Sequence, residues 1–314
     1  MKVLFVCDPG EAQFVPAIAK HVSKSAEVRE DYTNDGSRII EDIQWADIVW
    51  LEWAGPHAIT ITNHDTLLDN KKVILRLHSS EAVNGYLECV KWSRINSIVF
   101  VAQHIMDIAM EKIVQFPHML YPYLIPNSID LDEWKFHERE DWYPDIAWAP
   151  GTIRSIKGPI LAMQCMIELY KHSPGWKLHV AGTWAEERDR IYFEHMVKDW
   201  ALEENIVMYG FVKGIQEWYR NMSFIASFSS WEGNPVAIME AMATGLRPVI
   251  HNFKGSTDQY LDEWVWDTPS EFIGQLIQPV GDPIQYRDYV RENWNAEELM
   301  KSIDQVFCDI METL

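Results

Sequence analysis

Basic residues are in short supply: 27 Lys and Arg stand against 47 Asp and Glu, a formal net charge of −20. That balance disfavours a non-specific grip on nucleic acid or anionic lipid, both of which need clustered positive charge, so nucleic acid is not an expected partner. Cysteine is scarce as well. Cys7, Cys89, Cys165 and Cys308 lie far apart, with no C-x-x-C spacing and no neighbouring His pattern, so they read as reduced thiols rather than zinc ligands. Long apolar runs are missing: none approaches the roughly 18 residues that a membrane-spanning helix needs. The opening run Val3–Val6 is too short for the core of a secretory signal, and acid follows it at once. A cytoplasmic protein without a transmembrane segment is the expectation. Low-complexity tracts and internal repeats, beyond two similar halves, are absent too.

What the chain does contain is ordinary for a globular protein, 47% hydrophobic and 24% charged residues, and its 314 residues suggest two domains. Lys2–Cys7, Asp47–Leu51, Val73–Leu77 and Ser97–Val101 are short apolar runs that read as buried strands. Helical spacing over Gln13–Ser25 and Ser37–Trp45 separates them. A second series begins at Ile146–Trp148 and continues through Lys177–Ala181, Ile206–Tyr209, Phe224–Phe228 and Pro248–Ile250. Alternating strands and helices imply open parallel sheets wrapped by helices, an α/β fold of two Rossmann-like βαβ domains. The acidic run His137–Asp145 reads as a linker, which predicts domains of residues 1–140 and 141–314. The 15 Trp residues read mostly as packing, although aromatic faces also stack on sugars.

In such sheets ligands gather at the carboxyl ends of the strands. There the chain places Asp8-Pro-Gly10, Glu52-Trp53 and His78-Ser79 in the first half. In the second half it places Gly151-Thr-Ile-Arg-Ser-Ile-Lys-Gly-Pro159, Gly210-Phe-Val212 and Ser229-Ser-Trp-Glu-Gly-Asn-Pro235. Asn234 suits an N-cap and Pro235 the first helical position, so a helix is expected to start between Glu232 and Glu240. Gly233 lets a ligand approach that helix mouth, where unpaired N–H groups and the positive dipole end favour an anion, while the carboxylates match vicinal hydroxyls. Lys157 sits at the start of another helix, where a cation costs roughly 0.3–1 kcal/mol unless an anion intervenes. A bound diphosphate would supply that anion. Plainer readings exist for each: a capping acid and a surface acid, two solvated basic residues, a structural loop histidine. Asp130-Leu-Asp132 spells D-x-D, but at a domain junction it reads as a turn, and no metal is expected.

The stretch from Phe224 through Glu232, Glu240 and Gly245 to Ile250 resembles the E-x7-E signature of retaining GT-B glycosyltransferases, and is most similar to the family-4 group. The resemblance implies two domains facing across a cleft, the last helix, Glu297–Met311, closing the chain against the first. It implies transfer of a sugar from a nucleoside diphosphate sugar to the hydroxyl of a carbohydrate or other acceptor, with retained configuration and no cofactor. Residue by residue, it assigns Glu232 and His78 to the transferred sugar and Glu240 to the ribose. Arg154, Lys157, Gly10, Gly233 and Asn234 fall to the donor phosphates, the backbone of Gly210, Phe211 and Val212 to the base, and Glu52 and Trp53 to the acceptor side. Asn234 stands where many members carry an aromatic residue, and Arg154 is closer to Lys157 than is usual. Two alternatives share the architecture: a sugar-nucleotide or carbohydrate binder without turnover, and a nucleotide-sugar epimerase.

Overall fold

A computed structural model describes residues 1–113, 121–139 and 141–312, which divide into two units, 1–127 with 297–314 and 128–296. In the first unit, strands β1 (Lys2–Val6), β2 (Glu27–Asp31), β3 (Ile48–Glu52), β4 (Lys72–Leu77), β5 (Ser97–Phe100) and β6 (Tyr121–Leu124) form one parallel sheet in the order β2-β1-β3-β4-β5-β6. Helices α1 (Val15–Val22), α2 (Gly36–Trp45), α3 (Pro56–Asn63) and α4 (Gln103–Lys112) connect them. Two of them have a plain local reason to start: Asp35 caps α2 by accepting from the Ser37 and Arg38 amides, and Pro56 opens α3. The central strands bury every or nearly every side chain, as strands covered on both faces must. Strand β2 escapes the sequence reading because it is an edge strand of mostly exposed, charged residues with no apolar run. Strand β6 escapes it for a similar reason, being short and largely exposed.

The second unit repeats the architecture with β7 (Asp145–Ile153), β8 (Lys177–Trp184), β9 (Ile206–Gly210), β10 (Phe224–Ser227), β11 (Arg247–His251) and β12 (Val265–Trp266), ordered β12-β11-β10-β7-β8-β9 and parallel throughout. Its helices are α5 (Pro159–His172), α6 (Glu187–Asp199), α7 (Ile215–Tyr219), α8 (Val236–Ala243), α9 (Pro269–Ile277) and α10 (Ile284–Trp294). Period-two alternation splits β7 between two cores: Ile146 and Trp148 join the layer with α5 and Phe228, and Ala147 joins the layer with Met239, Met242 and Trp264. The strand order reverses between β7 and β10 here, and between β1 and β3 in the first unit. Such switch points open a crevice at the carboxyl ends of the flanking strands.

The unit boundary falls after Asn127, earlier than the expected 140. The Arg287 guanidinium donates to the carbonyls of Leu131, Trp134 and Ala243, and Arg139 donates to those of Tyr219, Met222 and Thr244. The described part of the supposed linker is therefore bound to the second unit by half-buried cations satisfying backbone oxygens, while residue 140 lies outside the described residues. Helix α11 (Ala296–Glu312) then returns to the first unit, where Ile303, Val306, Phe307 and Ile310 form a helical stripe in the core with Val3, Phe5 and Trp50. Phe307 is nearly buried and stacks on Trp50 at 6.1 Å. Phe307→Ala should cost the first unit about 3–5 kcal/mol of stability. Urea denaturation followed by fluorescence measures this, and a loss below about 1 kcal/mol would show that α11 contributes little there.

Candidate active site

At the switch point of the second unit two loops meet, one after β7 and one after β10. Gly158 makes the meeting possible: at φ 72 it lies in the left-handed region, and a Cβ there would sit 2.0 Å from the Phe228 carbonyl oxygen. The Ser230 amide donates to the Ile156 carbonyl at 2.9 Å, fixing the apposition. Lys157 Nζ consequently reaches Glu232 Oε1 at 2.6 Å, and Ser229 Oγ donates to the same oxygen at 2.7 Å. Both charged side chains are largely out of solvent, 23% and 12% exposed. Lys157 immediately precedes Gly158, the N-cap of α5, so it faces the positive end of that helix dipole. Glu232 is the anion that offsets this, filling the part that the sequence reading gave to a diphosphate.

Helix α8 starts at Val236, one residue later than expected, with Pro235 as its N-cap at ψ 105. Asn234 is not its N-cap. It is buried, and its Nδ2 donates to Gln259 Oε1 at 2.8 Å, while Gln259 Nε2 donates to the carbonyls of Gly233 at 2.9 Å and Gly255 at 3.1 Å. Gln259 thus clamps the loop that carries Glu232. No periodic pattern marks a single glutamine 26 positions beyond Gly233, which is why sequence reasoning missed it. Glu240 lies within α8, and burial, helped by the nearby Glu133 charge, raises its carboxyl pKa from 4.5 to about 8. Arg154 caps the short turn Ser155–Lys157 with an exposed side chain that has no ion-pair partner among the described residues. Gly210, at φ 68, ends the edge strand β9, and beside it Phe211 is 84% exposed and Val212 half-buried.

The first unit gathers its own cluster at strand carboxyl ends. Gly10, at φ 86, completes an exposed turn in which the Glu11 amide donates to the Asp8 carbonyl at 3.1 Å. His78, after β4, is buried with its ring stacked against Trp53 at 3.8 Å and Phe14 at 4.9 Å. Its Nε2 is 2.7 Å from Glu52 Oε1, and its amide donates to Glu81 Oε1 at 3.2 Å. Trp53 has φ 69, which for a bulky residue stores strain on the order of 1–3 kcal/mol. Hydrogen bonds from its amide to the Arg76 carbonyl and from Nε1 to the Glu11 carbonyl hold it there.

Glu52 corrects the sequence reading: its side chain is fully buried and cannot face an acceptor. It accepts from Trp50 Nε1 at 2.8 Å, Arg76 Nη1 at 3.1 Å and His78 Nε2. Burial pushes its pKa up, but the Arg76 charge and the His78 hydrogen bond outweigh this and hold the carboxyl below its ordinary value. A signal for this pair was available, since Glu52 and Arg76 are charges near the carboxyl ends of largely apolar strands and stand opposite each other in the β3–β4 register. Asp130 Oδ1 accepts from the amides of Asp132 and Glu133, so the D-x-D stretch is an Asx-type turn. Among the described residues no set of three or more His, Cys, Asp or Glu is grouped to hold a metal ion, and no helix is long and apolar enough to cross a membrane.

The second unit therefore offers a lysine at a helix start, an adjoining carboxylate, a buried carboxyl and an exposed aromatic ring at the strand ends. These residue types suit an anion, hydroxyls and a flat ring respectively. The chain is 33% identical over 104 residues to the lipopolysaccharide core biosynthesis mannosyltransferase LpsB of Rhizobium meliloti, and 27% identical over 135 residues to the amylovoran biosynthesis glycosyltransferase AmsD of Erwinia amylovora. These matches cover 32% and 41% of this chain, and only 29% and 38% of the relatives' own lengths. The fold is that of HepE from Anabaena, solved with UDP and glucose, at a TM-score of 0.78 and 12% identity over 98% of this chain and 100% of that one. The two parallel six-stranded sheets are thus those of the GT-B architecture. The family model for glycosyl transferases group 1 matches residues 131–305, more than half of the sequence and almost the whole second unit, and the chain belongs to that family.

Proposed function

We propose that the protein is a retaining glycosyltransferase of the family-4 type, moving a sugar from a nucleoside diphosphate sugar to an acceptor hydroxyl. The observation that carries the reading is the Lys157–Glu232 pair, held at the start of α5 by the contact of Gly158 with Phe228. Donor phosphates would take the place of Glu232 as the partner of Lys157, with the exposed Arg154 as a second cation. Glu232, released, would accept from a hydroxyl of the sugar. In the reaction the bond from the anomeric carbon to the diphosphate oxygen breaks and a bond to the acceptor oxygen forms on the same face. The acceptor proton passes to the departing phosphate oxygen. Lys157 and the helix start neutralise charge growing on that leaving group, and no metal or cofactor is required. His78 orients the sugar, Glu240 accepts from the ribose hydroxyls, and Phe211 with its neighbours receives the base. UDP and glucose in the HepE structure, and the mannosyltransferase and glycosyltransferase relatives, support a nucleotide sugar as donor.

Incubation with a panel of nucleotide sugars and hydroxyl acceptors, read by mass spectrometry, should give glycosylated acceptor. Epimerised donor alone would indicate the epimerase, and binding without any product the silent binder. Glu232→Gln should cut kcat about 100-fold through lost positioning. Its affinity for free nucleoside diphosphate, by calorimetry, should hold or rise because Lys157 is released. Lys157→Ala should weaken free diphosphate and donor together, by about 10- to 100-fold for a lost charged hydrogen bond. Unchanged diphosphate affinity in that variant would contradict the assignment.

The Glu240 carboxyl adds a pH signature. Its folded pKa of about 8 exceeds the ordinary 4.5, so the folded state binds the extra proton between these values and stability falls as pH rises through that window. Glu240→Gln removes the penalty. The Tm of the variant relative to the parent should climb from about pH 5 to about pH 8 and level off above, while nucleotide affinity falls. A Tm difference that is constant with pH would show that Glu240 is not the titrating group.

A further inference from the structure

We propose that Glu52 is a positioning residue that fixes the proton of His78 on Nε2, leaving Nδ1 to accept a hydrogen bond from a substrate hydroxyl. The inference rests on the glycosyl-transfer reading for its catalytic consequence, but on geometry alone for the tautomer. Glu52 is fully buried and surrounded by donors: Trp50 Nε1 on Oε2, and Arg76 Nη1 and His78 Nε2 on Oε1. A buried carboxylate beside a buried guanidinium remains ionised, and an ionised carboxylate only accepts. At 2.7 Å, His78 Nε2 must therefore carry the hydrogen. Nδ1 has no hydrogen bond to any described residue.

The surroundings fix the plane of the ring. Trp53 and Phe14 stack against the imidazole, and Glu81 anchors the His78 amide. Arg76 is itself braced by Nη2 donating to Asn127 Oδ1 at 2.9 Å, so the Arg76–Glu52 pair cannot swing away from the ring. Had Glu52 served only to neutralise Arg76, one oxygen facing the guanidinium would suffice. The arrangement instead shares that same oxygen with His78, and the strained Trp53 backbone is maintained for the stack.

The test is nitrogen NMR of the imidazole rings in the full chain labelled with 15N-histidine, at pH 8, with His78 assigned from the signals missing in His78→Gln. The unmodified chain should show His78 protonated on Nε2 and bare on Nδ1. A proton on Nδ1 overturns the proposal without any other variant. Glu52→Gln combined with Arg76→Met removes both charges, so that neither is left buried alone. In that double variant the Nδ1 and Nε2 signals should move toward exchange between the two tautomers. Its kcat should fall about 10- to 100-fold, the usual cost of losing a supporting partner, with donor KM changed less than about 3-fold. Unmoved nitrogen signals, or moved signals with unchanged kcat, overturn the positioning role. Absence of turnover in the unmodified chain would instead sink the transfer reading, leaving the tautomer to be judged by the spectra alone.

Discussion

A lysine ammonium at the positive end of a helix is an unfavourable arrangement, and the second unit is built to hold one. The Lys157 backbone is fixed there, because Gly158 is locked against the Phe228 backbone and Ile156 is bonded to Ser230. Glu232 is brought to it by the same contact and stabilised by Ser229, while Gln259 secures the neighbouring Gly233 and Asn234. The result is a charge pair that closes the local electrostatic account only as long as nothing more negative arrives. A diphosphate carries more charge than a carboxylate and suits the helix start better. Under the proposed function, exchange of partners follows binding and frees a carboxylate where sugar hydroxyls would need an acceptor.

The first unit uses buried charge for a different end. Glu52 and Arg76 lie opposite each other on adjacent strands, and their mutual compensation makes it possible to keep an ionised carboxylate under His78. Removing either partner alone would leave an uncompensated charge in the core, which typically costs about 3–5 kcal/mol. The backbone strain at Trp53 belongs to the same construction, since its ring lies against the imidazole.

Central strands were readable from sequence because burial on both faces makes them continuous apolar runs, as in Val3–Val6 or Ile48–Leu51. At the sheet edges β2, β6 and β12 were not: β2 is rich in charge, β6 is short and exposed, and β12 has two residues. The boundary was misplaced for a related reason, since the acidic composition of 137–145 suggested solvent while Arg139 was bound to three backbone carbonyls of the second unit. At the site, residue types pointed to Lys157, Glu232 and His78, but the partners that define their chemistry come from distant segments. Lys157 and Glu232 are 75 positions apart, and no local pattern announces their contact. Asn234 shows the same limit, because its helix-capping chemistry was outcompeted by a glutamine from a later loop.

The central claim is that Glu232 holds the place of a donor phosphate on Lys157. Crystal structures of the chain without ligand and after soaking with a nucleoside diphosphate test it most directly. The account predicts that Lys157 Nζ leaves Glu232, 2.6 Å away in the unliganded chain, and bonds a phosphate oxygen. A nucleotide bound with the Lys157–Glu232 contact intact would contradict it.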